Sequence, residues 1–427
     1  MSRICCFAAL LFLGACSGGG TTSYDIGPGG SDPDLSDISV YVSDGPYAEV
    51  LKACSTADMA SLCTLGTLPL IGYESSPPTT SDVMSRVLVS HPWIAVRFEE
   101  VLNALPAEML TLFKGVTAIV IDSDIRPSFY SGGTAAIYLD PASLWLTNEE
   151  KATISRVADY RSNFGADLQF IDLWRYVKDN AYAYASYSLY GTETRQLSDI
   201  TYPLARLLFH ELAHANDLLP PGSQPALDPQ MTPYQAILSL ADVTIAEGLH
   251  ATSPLTSELW LSLARVLYRG VPATPEQISY SADFVGDSFA SDVANETYSY
   301  SSRHEDVAML FEEAMMKYHF DIDRDIAFTD LPLTIRPTCD DYRVRWGVRN
   351  RLGDPYVKPR AALVAAELLP GVDFATFFDG FPAPTSMVID QGWCSNLTLG
   401  AVTPQGLAPK NEIHPDQLRQ DMLLPGD

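Results

Sequence analysis

The chain has 427 residues, enough for one large domain or two to three medium ones. Its 47% hydrophobic and 19% charged residues suit a globular protein with a sizeable core. A formal net charge of -26 argues against nucleic acid as a partner, since phosphate binding needs a basic footprint; it also repels anionic lipid, so membrane attachment must come from something other than basic residues.

The N-terminus has such a device. Arg3 supplies a short positive region, and Ile4 to Leu13 is apolar but too short to span a bilayer as a finished helix. Leu13-Gly14-Ala15-Cys16 follows, then Ser17 and three glycines. This stretch resembles a bacterial lipoprotein signal peptide. The resemblance implies cleavage of residues 1–15 and a lipid on Cys16. Ser17, rather than Asp, at the next position looks like the outer-membrane form of the Gram-negative sorting signal. An ordinary secretory signal cut nearby is the alternative. Residues 16–36, rich in Gly, Ser, Asp and Pro, read as a flexible tether. No second long apolar run follows.

Seven cysteines are present. Cys5 and Cys6 leave with the signal and Cys16 takes the lipid, which leaves Cys54, Cys63, Cys339 and Cys394. An even number in an exported chain predicts two disulfides. Proximity favours Cys54–Cys63 and Cys339–Cys394, although three connectivities are possible.

Along the chain, Trp93 to Leu105 reads as a helix or a strand-to-helix passage. Val116 to Ile121 is an apolar β-branched run and reads as a strand. Ser131-Gly132-Gly133 reads as a turn, and Ala135 to Leu139 as a second strand stopped by Asp140-Pro141. Aromatics crowd residues 173–190, where Trp174, Tyr176, Tyr182, Tyr184, Tyr187 and Tyr190 serve packing or line a wet cleft. Pro203 fits the first turn of the next helix, where its missing N–H needs no partner. That helix is apolar on most sides, which places it in the centre of a domain, and Pro220-Pro221-Gly222 ends it. Further helices are predicted over Ala236 to Leu249, Glu258 to Tyr268, 304–318 and around Arg360 to Leu368. The arginines at 343, 345, 349 and 351 are expected to pair with acids such as Asp340, Asp341 and Asp354.

The central helix carries His210-Glu211-Leu212-Ala213-His214. Residues four apart share a helix face, so both imidazoles can hold one metal ion. Glu211 would lie beside that ion and take a proton from a water bound to it. A catalytic zinc needs a third protein ligand and leaves one place open. Glu305 is the best candidate, in the first turn of the helix after Tyr298-Ser299-Tyr300-Ser301-Ser302-Arg303-His304. Glu247 is its rival. Asp217, three residues after His214, is expected to orient a ligand histidine or cap local structure, with direct ligation as a further option. Asp306 is a second candidate supporting carboxylate. His250 and His304 have no comparable spacing.

These two segments resemble the zincin metallopeptidases whose third ligand is glutamate, and most nearly the branch that includes the anthrax lethal factor catalytic domain. There the ligand begins an acidic-aromatic-alanine helix, and a tyrosine seven residues earlier stands over the zinc. The resemblance carries that role to Tyr298, with Tyr300 as rival. It implies an α+β fold: a small mixed sheet, a central metal-binding helix and a largely helical second lobe. The edge strand of that sheet would align a peptide. The resulting division is a catalytic domain over 37–325 with a helical insertion around 225–295, an extension over 326–400 and a tail over 401–427.

The expected activity is zinc-dependent hydrolysis of peptide bonds in exported proteins or peptides, with one Zn2+, Glu211 as general base and a monomeric enzyme lipid-anchored in the cell envelope. Two alternatives stand beside it: a catalytically silent lipoprotein of the same fold acting as a binding or assembly factor, and a zinc hydrolase acting on an amide of cell-wall peptide.

Overall fold

The computed structural model describes residues 33–399. The expected signal peptide, Cys16, most of the tether and the tail over 401–427 lie outside the described residues.

The first sheet has five short strands: β1 (Ser39–Val40), β2 (Val87–Val89), β3 (Ile119–Ile121), β4 (Phe129–Ser131) and β5 (Ala136–Leu139), in the order β1-β2-β3-β5-β4. β2, β3 and β5 are parallel to one another, while β1 and β4 run antiparallel at the two edges. The apolar runs follow from burial of both faces. Leu88, Val120 and Tyr138 pack with Leu51 on one side. Val87, Val89, Ile119, Ile121, Ile137 and Leu139 face the main core, which includes the central helix. The sequence ambiguity at Trp93 resolves as a helix, Pro92–Ala104, with proline in its first turn.

The second sheet is fully antiparallel: β6 (Phe170–Lys178), β7 (Ala181–Tyr182), β8 (Asp323–Asp330), β9 (Val344–Arg349) and β10 (Thr385–Ser386), in the order β10-β9-β8-β6-β7. The start of the aromatic-rich stretch is therefore a strand. The expected division at 325/326 falls inside β8, and the residues beyond it add β9 and β10 to the sheet that β6 began.

The central helix spans Leu197–Leu218 and is buried along most of its length. It starts earlier than Pro203 suggests, because Gln196 and Asp199 cap it reciprocally. Pro203 therefore lies in the helix interior and withdraws the N–H that would bond to the Asp199 carbonyl. The predicted helix over Ala236 to Leu249 is two, Pro233–Ser239 and Ile245–Thr252, the second restarted by a Thr244 cap on the N–H of Glu247. The helix at 304–318 is Arg303–Phe320, and the late one is Lys358–Leu368. Phe209 and Phe311 meet edge to face, ring centroids 6.0 Å apart, where the central helix packs on Arg303–Phe320.

The architecture is α+β, with two small sheets, a central helix bearing the histidine motif and a largely helical second lobe. The stretch around 225–295 supplies helices Glu258–Arg269 and Ala282–Ala290, which build a separate core on the second sheet from Trp260, Phe289, Ile326 and Phe328. Disulfides join Cys54 to Cys63 and Cys339 to Cys394. Arg345 pairs with Asp330 and Asp390, Arg349 with Asp325 and Arg351 with Asp354. Of the acids expected to neutralise this cluster, only Asp354 does so; Asp340 and Asp341 accept backbone N–H groups instead. Among the described residues no helix is long and apolar enough to cross a membrane.

Gly286 shows how closely helix Ala282–Ala290 is seated on the second sheet. A Cβ placed there would stand 2.3 Å from the Trp346 Cβ. Gly286→Ala is expected to lower stability by ~1–3 kcal/mol through overpacking, read as a shifted urea midpoint at unchanged m-value.

Candidate metal centre

Three side chains converge on one buried point. His210 Nε2 and His214 Nε2 are 3.2 Å apart. Glu305 Oε2 is 3.1 Å from His210 Nε2, and Glu305 Oε1 is 3.4 Å from His214 Nε2. His210 is fully buried, Glu305 is 1% exposed and His214 8%, so only the His214 side reaches the surface. The two rings lie nearly perpendicular with centroids 4.8 Å apart, as the four-residue spacing on one helix dictates.

Helix capping explains how Glu305 reaches this point. Ser302 caps Arg303–Phe320 by accepting the N–H of Glu305 at 3.1 Å. Ser-x-x-Glu normally closes a reciprocal box in which the glutamate returns to the cap N–H. Five boxes with a threonine cap close in this way elsewhere among the described residues, at Thr79, Thr147, Thr232, Thr274 and Thr338. At Ser302 only half of the box forms, and the Glu305 carboxylate turns to the histidines.

A fourth residue orients the set. Glu312 lies two turns after Glu305, and its Oε2 is 3.2 Å from His210 Nδ1. A carboxylate there selects the tautomer with hydrogen on Nδ1, which leaves the Nε2 lone pair aimed at the shared point. Glu312 is held in turn by the Tyr176 hydroxyl at 2.7 Å, Arg324 Nη1 at 3.3 Å and Arg206 Nη1 at 3.4 Å. Burial opposes ionisation of Glu312, but Arg206 and His210 outweigh it and bring its pKa down to about 2. Burial likewise opposes the charge on His210, and Glu305 then overrides it, raising the imidazole to about 10. Burial pushes against the Glu305 carboxylate too, yet the two imidazoles hold it well below the usual range.

Glu211 is fully buried, and neither carboxylate oxygen has a hydrogen-bond partner. Burial pushes it up to about 7, against the pull of His210 and His214. Tyr298 sits in a short turn before the Glu305 helix, and its ring stacks over His210 at 6.3 Å.

The remaining candidates lie elsewhere. Tyr300 turns into the insertion core, stacks on Trp260 and donates its hydroxyl to Asp292 at 3.0 Å. Asp306 is ion-paired with Arg360 and contacts no ligand residue. Asp217 accepts the Ala246 N–H at 2.8 Å and lies 2.6 Å from His304 Nδ1, so it ties the helix end to Ile245–Thr252 rather than orienting a ligand histidine. Glu247 is 39% exposed in an ion pair with Arg303. It points away from the site because the Thr244 cap sets the helix that bears it.

The donor set fits a zinc ion. With hydrogen on Nδ1, the His210 lone pair faces a second imidazole nitrogen and a carboxylate, a set of electron pairs that suits a bound cation. The ligand atoms of His210, His214 and Glu305 all lie within 4.8 Å of one another. Two imidazoles and one carboxylate form a hydrolytic zinc set with one coordination place free for water or substrate. This His210-Glu211-x-x-His214 and Glu305 arrangement is that of a zincin with a glutamate third ligand. No family model, curated protein or solved structure matches the chain.

Sequence reasoning missed Glu312, Tyr176, Arg206 and Arg324. The spacing of seven residues from Glu305 was the available signal for Glu312, since it returns to the same helix face after two turns. Zinc content of purified variants checks the assignment. Glu305→Ala is expected to lose the ion and Glu247→Ala to keep it. Glu312→Gln is expected to bind zinc roughly 10–100-fold more weakly in chelator competition, through a misoriented His210.

Proposed function

We propose that this chain is a zinc-dependent peptidase that cuts exported proteins or peptides. The observation that carries this is Glu211: a buried carboxylate with no hydrogen-bond partner, beside three convergent metal ligands. Burying such a group without a partner is costly, and structure alone gives no reason to keep it.

His210, His214 and Glu305 would hold the zinc. When bound, the ion supplies a Lewis acid that polarises a carbonyl and acidifies a water. Glu211 takes a proton from the attacking water and delivers it to the leaving amine, a task suited to a carboxylate raised to about 7. Glu312 keeps His210 in the tautomer that can ligate. Tyr298 donates a hydrogen bond to the oxygen of the cleaved carbonyl as it gains charge; its ring position over His210 supports this role.

A peptide substrate is favoured by the first sheet. β4 is an edge strand, antiparallel to β5, and it packs against the central helix. A sheet edge is where an extended chain can add as a further strand, and a peptide reaching β4 would have to displace what buries Phe129, Tyr130 and Ser131. The position of Tyr298 supports kinship with the lethal factor branch. The two disulfides favour an oxidising compartment, and with the Cys16 signal they support a lipid-anchored protein of the outer membrane.

The test is cleavage of a mixed peptide library. Glu211→Gln is expected to retain zinc and lose roughly 10²–10⁴ in kcat. If wild type and variant both hold zinc and neither cuts, the silent binding protein becomes the better description. Tyr298→Phe is expected to lower kcat by roughly 10²–10³ with little change in KM, measured on the peptide that the wild type cuts best.

A further inference from the structure

In a chain with 27 basic and 53 acidic residues, six arginines line one cavity. A cavity of about 400 Å³ lies between the end of the first sheet, β6 and the N-terminal half of the central helix. Its walls carry Arg126, Arg156, Arg161, Arg175, Arg195 and Arg206. The only carboxylates among the described lining residues are Asp140 and Asp159.

These arginines are not all neutralised. Arg126 pairs with Asp140, Arg161 with Asp159 and Arg175 with Asp325. Arg206 shares Glu312 with Arg324 and His210. Arg195 is only 8% exposed and donates to the carbonyls of Trp145 and Ala142, with no carboxylate in contact. Its guanidinium lies on the Trp145 ring at 3.9 Å. Burial outweighs the pull of Tyr187, Asp199 and Glu150 and pushes Arg195 down to about 9. Arg156 lies over Tyr190 on the exposed wall, and no carboxylate pairs with it. Arg175 Nη2 and Arg206 Nε are buried N–H donors without an acceptor in the protein. Among the described residues, Arg195 and Arg156 thus line the cavity without a carboxylate in an ion pair, and they are the guanidinium groups open to an entering anion.

The cavity adjoins the proposed reaction centre. Arg206 lies one helical turn before His210, and Tyr176 on the same wall holds Glu312. Ser128, directly before the edge strand β4, also lines it. A peptide following β4 toward the histidines would therefore pass these arginines.

We propose that this cavity is a substrate subsite for a carboxylate side chain, so that the enzyme selects peptides with Asp or Glu close to the cleaved bond. The proposal rests on the peptidase reading above and names its substrate class. Arg195 is the principal contact, and Arg156 guards the open side.

Binding is measured without cleavage, on the full-length, zinc-loaded Glu211→Gln protein. The probes are fluorescent decapeptides in which one Glu is moved along a neutral sequence, each with its Gln counterpart. For a subset of positions the Glu peptide is expected to bind about tenfold or more tightly than its Gln partner, the size of one charge-assisted hydrogen bond. Adding Arg195→Gln is expected to bring that ratio close to one, with the Gln peptides changed less than about twofold. Arg156→Glu, on the exposed wall, is expected to weaken only the Glu peptides, and it keeps the test open if Arg195→Gln fails to fold. Equal binding of Glu and Gln peptides, or equal loss of both in the arginine variants, overturns the proposal. Inorganic phosphate is added as competitor and is expected to displace the Glu peptides selectively; equal displacement of both sets also overturns it. Cleavage by wild type is scored separately. Acid-selective binding without cleavage removes the peptidase reading and leaves the subsite, while cleavage with no acid preference does the reverse.

Discussion

The structure depends on a single crowded point where two imidazole nitrogens and a carboxylate meet inside the protein. Bringing such groups together away from water is unfavourable unless a cation lies among them. The surroundings are arranged around that need. Glu312 fixes the His210 tautomer, and Arg206 and Arg324 balance its charge. Arg324 also reaches Glu296 and lies over the rings of Trp174 and Tyr176, so one buried guanidinium joins the second sheet to the helix that carries Glu305 and Glu312. The two helices that carry the ligands are therefore tied by charge as well as by the Phe209–Phe311 contact.

Local patterns made part of this legible in the sequence. The histidine pair lies on a helix whose apolar residues surround it, and a four-residue spacing on a helix has one geometric consequence. β3 and β5 are apolar and flanked by turn residues, so their period and punctuation agree. Glu305 was reached by its place in the first turn of a helix and by resemblance rather than by spacing, because the interval from His214 holds a separate core that local rules do not measure.

The second sheet was hidden for a physical reason. β6 contains Asp172, Arg175 and Lys178, and β8 contains Asp323, Arg324 and Asp325, which read as solvent-facing charges. In the fold, Arg175 stands opposite Asp325 and Asp325 opposite Arg349, and the aspartate bonds to both arginines from the middle strand. A charge inside a strand looks like surface until the neighbouring strand that neutralises it is known. Ser302-x-x-Glu305 shows the same difficulty on a smaller scale. The pattern specifies a reciprocal cap, and only the distant histidines divert its second half. Pro203 misplaced a helix start because a Gln cap is a weaker signal than a proline.

One face of the central helix joins these features. Arg206, His210 and His214 follow one another at four-residue steps, about 6 Å of rise each. Arg206 lines the arginine-rich cavity, and the next two residues of the series are metal ligands. An extended peptide advances about 3.3 Å per residue, so a carboxylate held near Arg206 stands roughly two residues from the bond opposite the histidines. The rigid helix thus sets that distance, which a loop would leave to vary, and Glu312 bonds to both Arg206 and His210 across it. An anion bound in the cavity would compete with Glu312 for Arg206 and so alter the charge that faces the Nδ1 side of the first ligand. Under the proposed subsite, substrate charge and ligand orientation would be coupled through that one carboxylate.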